Sequence, residues 1–394
     1  MQESKIELLP EDSAAIEVVN RRATELIDLS DRIHAHPELG FKEYRAVKWI
    51  SEKLSDVGFR VETGVAGLDT AFRATFRGTS DRPNLGFIVE YDALPGLGHA
   101  CGHNTKGPAT IGSVGAILEV LSTVPGTITV LGTPAEEGGG GKVTMAEAGV
   151  FDDLDMAIAL SVGPRNMTGL ATLASREVDI TVRGVTAHAH AQPHRGRNAL
   201  SALIAGFTQV NTLRQQFTAD MRVNGIITNG GDSIGAIPAE ACASFMISTA
   251  ATESQAELQE KIRRAFTACA ENHGCLIDLR PGLLYREMKV NRPLVALIEE
   301  KFRALGLEVG KPSFGGGTGA TDMGNVSQVT PADSVWLDLG SEVMPHTEEY
   351  AEACRTEPGH MAMLNGAKAG ALIMLELMRS PERLQEIRRT FVQG

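Results

Sequence analysis

Short apolar runs alternate with helical patterns over the first 160 residues of the chain. Residues 84–91, 127–132 and 155–162 are almost continuously apolar, as expected of strands that are buried on both faces. Residues 107–122 read as a helix between two of these runs, and residues 13–33 carry apolar positions at helical spacing. Strands that alternate with helices predict an α/β fold with crossover connections.

The pattern changes after residue 175. Three segments alternate apolar and polar side chains: 177–184, 222–231 and 240–248. Strands with one solvent-exposed face, followed by an amphipathic helix at 254–272, are typical of a smaller α+β domain. The α/β pattern then resumes with a helix at 293–305 and a strand at 334–339. We therefore expect an inserted domain at 176–287, which divides the main domain into residues 1–175 and 288–394.

Composition and net charge argue against some classes of binding partner. The chain has 394 residues, of which 43% are hydrophobic and 22% charged, as in ordinary globular proteins. Its net charge of -12 argues against nucleic acid and anionic membrane surfaces as partners. The sequence predicts no secretory signal, no membrane span and, from five scattered cysteines, no disulfide framework. A cytoplasmic protein is therefore expected.

The loop after the first apolar run carries a thiol and an imidazole. Residues 99–104 read HACGHN, which places Cys101 and His103 two positions apart. Such a pair can ligate one borderline-soft cation. The alternatives are a half-buried loop without a ligand and a redox thiol, the latter disfavoured because no C-x-x-C motif is present.

Adjacent carboxylates follow the second apolar run, in the segment TPAEEGGGGK. Glu136 and Glu137 would repel each other in a closed loop unless a cation lay between them. The four glycines allow the backbone to turn sharply and to approach a ligand closely. One glutamate could then bind a metal while the other takes a proton from metal-activated water. A solvated acidic turn is the alternative for this stretch taken alone.

Two further segments offer imidazole groups. Three histidines lie within residues 186–194, and His346 follows the strand predicted at 334–339. Ligands of α/β sheets bind beyond the carboxyl ends of the strands. We therefore expect the HACGHN loop, the glutamate pair and His346 to converge at one site.

Six motifs run in order through nearly the whole chain. They are HAHPELGFKEYRA (34–46), EYDALPGLGHACGHN (90–104), GTPAEEGGGGK (132–142), GVTAHAHAQPHRGRNAL (184–200), ATDMGNVS (320–327) and PHTEEYAEA (345–353). Together they resemble the aminoacylase and carboxypeptidase family of dinuclear zinc or manganese hydrolases. Within it they resemble the branch of auxin-conjugate amidohydrolases, aminobenzoyl-glutamate hydrolases and aminoacylase-like dipeptidases. The resemblance implies a mixed-sheet, zinc-peptidase-like catalytic domain with an inserted α+β lid domain through which a homodimer forms.

The resemblance also implies roles for individual residues. The implied metal ligands, for one or two divalent ions (manganese or zinc), are Cys101, His103, Glu137 and His346. Glu136 would be the general base, Asp92 would orient a ligand, and His188 would stabilise the oxyanion in the partner subunit's site. Which of His188, His190 and His194 enters that site stays open. Residues expected to bind the small-molecule substrate are His194, Arg195, Asn198 and Arg222.

Two departures from the family pattern bear on function. Where the family has a histidine ligand after the third strand, this chain reads Ser161-Val162-Gly163, so one metal position is expected to be weak or empty. Gly235 and Ser248 stand where the family has the Asn and Arg that bind the free carboxylate of the substrate. Their presence argues against ordinary carboxylate recognition unless Arg195, Arg197 or Arg222 replaces the missing arginine.

Three functions are compatible with these features. The first is a metal-dependent amidohydrolase that cleaves the amide of an N-acyl amino acid, a dipeptide or an aryl amide. The second is a mononuclear hydrolytic deaminase of an electron-poor aromatic amine such as a nitro-aminobenzoate. The third is a non-catalytic binding protein with the same fold, against which the intact glutamate pair argues.

Overall fold

A computed structural model describes residues 8–312, 319–340 and 343–393. The chain divides into two compact units. The larger unit comprises the described residues of Met1–Ala171, Met288–Thr318 and Asp322–Gly394. The smaller unit comprises Thr172–Glu287 and Gly319–Thr321.

A six-stranded mixed sheet forms the centre of the larger unit. Its strands, numbered in chain order over the whole molecule, are β1 (Arg60–Thr63), β2 (Phe72–Arg77), β3 (Asn84–Val89), β4 (Thr127–Gly132), β5 (Met156–Gly163) and β10 (Ala332–Asp338). The spatial order is β1-β2-β4-β3-β5-β10. β4, β3, β5 and β10 run parallel, and β1 and β2 are antiparallel additions at one edge. The expected α/β fold on a mixed sheet is thus confirmed.

Helices surround this sheet. They are α1 (Pro10–Arg21), α2 (Ala23–His34), α3 (Tyr44–Asp56), α4 (His103–Val120), α5 (Gly141–Glu147), α8 (Arg292–Ala304), α9 (Met323–Ser327), α10 (Glu348–Ala353), α11 (Glu357–Arg379) and α12 (Pro381–Gln393). The single helix predicted at 13–33 is in fact two helices, because the backbone leaves the helical conformation at Arg22.

The core of the larger unit lies where α4 and α11 pack on the sheet. Every residue of β3, β4 and β5 is buried, which explains their continuous apolar sequences. The Ser113 hydroxyl of α4 donates to the Ala367 carbonyl of α11 at 2.8 Å. By length and composition α11 could cross a membrane, but most of its apolar window is buried inside the protein.

The smaller unit is an antiparallel sheet covered on one face by two helices. Its strands are β6 (Ala174–Arg183), β7 (Arg222–Asn229), β8 (Glu240–Thr249) and β9 (Leu276–Tyr285), in the order β7-β8-β6-β9, and its helices are α6 (Ala199–Leu213) and α7 (Thr252–Asn272). Alternate residues of β6, namely Val178, Ile180 and Val182, are buried under the helices. This burial agrees with the alternation of apolar and polar residues that the sequence shows for a strand with one solvent-exposed face.

Candidate active site and metal centre

Polar side chains gather beyond the carboxyl ends of the parallel strands of the larger unit. Residues 90–102 follow β3 and residues 133–140 follow β4, and these neighbouring strands deliver both loops to one edge of the sheet. The first loop ends at Gly102, whose backbone has φ +72° and whose α-carbon leaves no room for a side chain beside Val162. This left-handed turn lets α4 begin directly at His103.

The first polar group consists of Cys101, His103 and Glu137. Their ligating atoms all lie within 4.8 Å of one another. Asp92 orients two members of this group. Its Oδ1 lies 3.0 Å from His103 Nδ1, and its Oδ2 accepts the Glu137 backbone N–H at 2.9 Å. With Nδ1 held by Asp92, the Nε2 atom of His103 is the nitrogen left to bind a ligand.

Electrostatics of the first group suit a cation. Burial, together with the charges of Glu137 and Glu136, raises the pKa of the Cys101 thiol well above its usual value. Burial and Lys106 act to lower the pKa of His103, but Asp92 and Glu90 outweigh them and raise it to about 9. A thiol, an imidazole and a carboxylate this close together are the donor set that borderline divalent ions prefer. The residues present therefore fit a zinc-class ion.

His346 approaches this group from the loop after β10. Its Nε2 lies 3.4 Å from Glu137 Oε2, and its backbone N–H donates to the Ala100 carbonyl at 2.9 Å. The side chain is 56% exposed, and the residue has φ +68°, a conformation that side-chain-bearing residues rarely adopt. The structure thus brings His346 beside the Cys101 group, as the sequence predicted for the converging loops.

Glu136 belongs to a second group, with Glu90 and Asp322. The carboxylate oxygens of these three residues lie within 4.8 Å of one another. Glu136 Oε2 is 3.9 Å from His103 Nε2, so the two polar groups are contiguous. Burial, then the charges of Glu90 and Glu137, raise the pKa of Glu136 to about 8. A carboxyl group poised near neutrality is suited to accept and return a proton.

Two lysines neutralise the second group. The Lys142 ammonium lies 2.7 Å from Glu90 Oε1 and 2.5 Å from Asp322 Oδ1, and Lys106 contacts Glu90 Oε2. All four side chains are buried. Sequence reasoning assigned no role to any of them. The sequence feature that could have identified them is a charged residue inside or next to an apolar element. Lys106, in the wholly buried first turns of α4, is an example.

Glu43 supports the loop that carries Glu136. Its buried carboxylate accepts the Ala135 backbone N–H at 2.8 Å and the Thr70 hydroxyl at 2.7 Å. Ala135 has φ +57°, and a side chain at Gly40 would lie 2.7 Å from the Ala135 methyl group. In the sequence, segment 34–46 is recognisable only as a family motif, and nothing in it indicates this support.

The remaining predicted residues lie in the smaller unit. His188 is exposed, and its Nδ1 accepts the N–H groups of His190 and Ala191 at 3.3 and 3.2 Å, which leaves the ring hydrogen on Nε2. His194 and Arg195 are exposed in a short 3₁₀ turn. Asn198 caps α6, because its Oδ1 accepts the Ser201 N–H at 3.0 Å, so part of this side chain already has a structural role.

The three positions that depart from the family pattern have different surroundings. Among the described residues, the buried Ser161 hydroxyl has no hydrogen-bond partner. Ser248 shares a 2.8 Å hydrogen bond with Ser175 and stands directly opposite Arg222 in the β7–β8 pair. Gly235 lies in an exposed loop, where its carbonyl accepts the Ala189 N–H.

Comparisons with known proteins give the family. The sequence pattern of peptidase family M20/M25/M40 matches residues 86–376. The Xaa-Arg dipeptidase of Homo sapiens is 34% identical, over 98% of this chain and 93% of its own length. An aminobenzoyl-glutamate utilization protein from Klebsiella pneumoniae shares the fold with a TM-score of 0.72 at 18% identity, over 91% of this chain and 97% of that one. A dinuclear metal-binding peptidase of the M20 family from Bacillus subtilis does so with a TM-score of 0.66 at 19% identity, over 90% and 99%.

The family match over residues 86–376, together with 34% identity to the human dipeptidase over nearly the whole chain, shows the family. The chain belongs to peptidase family M20/M25/M40 and is a metal-dependent hydrolase that acts on carbon–nitrogen bonds.

Proposed function

We propose that the protein hydrolyses the amide bond of a dipeptide or an N-acyl amino acid. The observation that carries this proposal is the contact between the two polar groups, which sets Glu136 next to the Cys101–His103–Glu137 cluster. Its human relative is named for cleaving Xaa-Arg dipeptides, which is the same reaction type.

The divalent ion, zinc or manganese, would be held by Cys101, His103, Glu137 and His346. When bound it polarises the substrate carbonyl and makes water a better nucleophile. Glu136 accepts the proton of the attacking water and returns it to the departing nitrogen. Asp92 keeps the His103 and Glu137 side chains in place throughout.

The smaller unit supplies substrate recognition and, in a homodimer, a residue for the partner's site. The His188 tautomer supports this role, because its backbone contacts leave an Nε2–H donor for an oxyanion. Arg222 is our candidate for the substrate carboxylate, because it faces Ser248 on the same side of the sheet. His194, Arg195 and the free end of Asn198 complete the proposed set.

Substitution of the general base tests this function. Glu136→Gln removes the proton acceptor and keeps the shape, so kcat for dipeptides and N-acyl amino acids should fall by at least about 10³-fold. The ion should remain bound, because Glu136 is not among its proposed ligands. Glu137→Gln is the matched control, and it should lose the ion as well as activity. Full turnover by Glu136→Gln would overturn the mechanism.

A second candidate reaction is hydrolytic deamination of an electron-poor aromatic amine, such as a nitro-aminobenzoate. It is favoured because Ser161, whose buried hydroxyl has no hydrogen-bond partner among the described residues, stands where the family has a histidine ligand. It is also favoured because neither Gly235 nor Ser248 carries a cationic side chain. The two reactions differ in their products. Deamination releases ammonia without a second acid, whereas amide hydrolysis yields an amine and a carboxylic acid. Product analysis on a mixed panel of substrates decides between them.

A further inference from the structure

The second polar group resembles a cation site, but an ammonium group already contacts two of its three carboxylates. Lys142 Nζ lies 2.7 Å from Glu90 Oε1 and 2.5 Å from Asp322 Oδ1, and the Lys142 backbone N–H donates to Asp322 Oδ2 at 2.9 Å. The lysine side chain is fully buried. Its position is therefore fixed at both the backbone and the side-chain end.

Charge balance explains why the lysine is there. Three carboxylates packed within 4.8 Å would repel one another strongly in a buried site. Lys142 and Lys106 supply two compensating charges, and both of them contact Glu90. Buried carboxylates need such partners, since each charge loses its hydration on burial.

A divalent ion at the same place would face two obstacles. Its oxygen ligands already accept hydrogen bonds from the ammonium groups, and the positive charge of Lys142 would lie only a few ångströms away. The Cys101 group differs in kind, because it offers a thiol and an imidazole as well as a carboxylate. Of the two groups found among the described residues, that one combines the ligand types that a zinc-class ion prefers.

We propose that Lys142 is the resident cation of the Glu90–Glu136–Asp322 group, where its ammonium excludes a second divalent ion. The protein then binds one divalent ion per chain, at the Cys101 group. This inference rests on the proposed function as a metal hydrolase. Lys142 then supplies, as an ammonium group, the positive charge that a metal ion would otherwise bring to these carboxylates.

Ion stoichiometry tests the proposal. The full-length protein is loaded with Mn²⁺ or Zn²⁺, dialysed, and its metal content measured per chain by elemental analysis. We expect about one ion in the wild type and about two in Lys142→Met, which exposes three carboxylates to the added cation. Lys301→Met is the matched control, since Lys301 is another buried lysine that bridges two carboxylates, Glu300 and Glu376, each at 3.0 Å. It should leave the count at about one.

Two results would overturn the proposal. One is a count that stays at one in Lys142→Met, which would mean that something other than the ammonium excludes the second ion. The other is a count of two in the wild type, and a fall to one in Asp322→Asn would place the second ion at the Glu90–Glu136–Asp322 group. This second comparison does not require Lys142→Met to fold. Neither result bears on amide hydrolysis, which fails separately if the loaded wild type cleaves no dipeptide or N-acyl amino acid.

Discussion

At the scale of single residues, Asp92 is not among the proposed metal ligands, but it holds two of them in place. One carboxylate holds the ring of His103 and the backbone of Glu137 at once. Asp92→Asn keeps the size but offers only one accepting oxygen, so metal affinity should fall by about 10–100-fold. Competition with a chelator measures this fall. Asp81→Asn, at an exposed ion pair with Arg77, is the control, and equal affinity of the two variants would refute the orienting role.

Metal binding should depend steeply on pH, because two ligands must first lose protons. In the protein without metal, burial and carboxylate charges raise the pKa of Cys101 well above its usual value, and Asp92 and Glu90 raise that of His103 to about 9. An ion displaces both protons, so affinity should increase from pH 6 to pH 8, by up to about 100-fold per pH unit. Calorimetry in buffers of different ionisation enthalpy should show release of about two protons. Affinity that does not change over this range would contradict the assignment of these two ligands.

The residues of the candidate site differ in how readily the sequence identifies them as functional. Cys101, His103, Glu136 and Glu137 stand in short motifs at strand ends, where periodicity alone places them at one edge of a sheet. Lys142 gives no such signal, because its partner Asp322 lies far along the chain. Such a pairing is decided by tertiary packing, which the local pattern of residues does not encode.

At the scale of elements, the segment between α2 and α3 supports the catalytic loop after β4. Glu43 holds the Ala135 N–H, and Ala135 has a left-handed backbone immediately before Glu136. Glu43→Ala leaves that N–H without its acceptor and lets the loop relax. We expect kcat to fall by about 10–100-fold with little change in KM, because misplacing a catalytic group affects the transition state most.

Rescue distinguishes positioning from general destabilisation. Glu43→Gln retains an oxygen that can accept the Ala135 N–H, so it should recover most of the lost kcat. Thermal unfolding of both variants provides the control for stability. An unaltered kcat in Glu43→Ala would show that the loop does not need this support.

Elements were predicted well where packing and periodicity agree. The apolar runs at 84–91 and 127–132 correspond to β3 and β4, since strands buried on both faces leave continuous apolar sequence. The helix at 13–33 was predicted without its break at Arg22, because apolar spacing continues across the two helices. The antiparallel edge formed by β1 and β2 was not predicted, because β1 is short and largely exposed.

At the scale of the whole molecule, the proposed exchange of His188 between subunits can be tested by complementation. Glu136→Gln and His188→Ala should each be nearly inactive alone. If they are unfolded together, refolded and allowed to form mixed dimers, each mixed dimer contains one intact site, so about a quarter of the sites should recover. Steady-state rates on the mixture measure this recovery, with each variant refolded alone as the control. No recovery, despite mixed dimers seen by mass, would place His188 in its own subunit's site.

The neighbours β5 and β10 in the larger sheet are separated in sequence by the whole of the smaller unit. During synthesis, β5 and α4 therefore leave the ribosome long before β10 and α11, against which they pack in the folded protein. During that interval the apolar surface of α4, buried in the finished protein from His103 to Ile117, lacks its partner helix. The nascent chain is consequently exposed to aggregation at this stage, and chaperone engagement should persist until α11 has emerged.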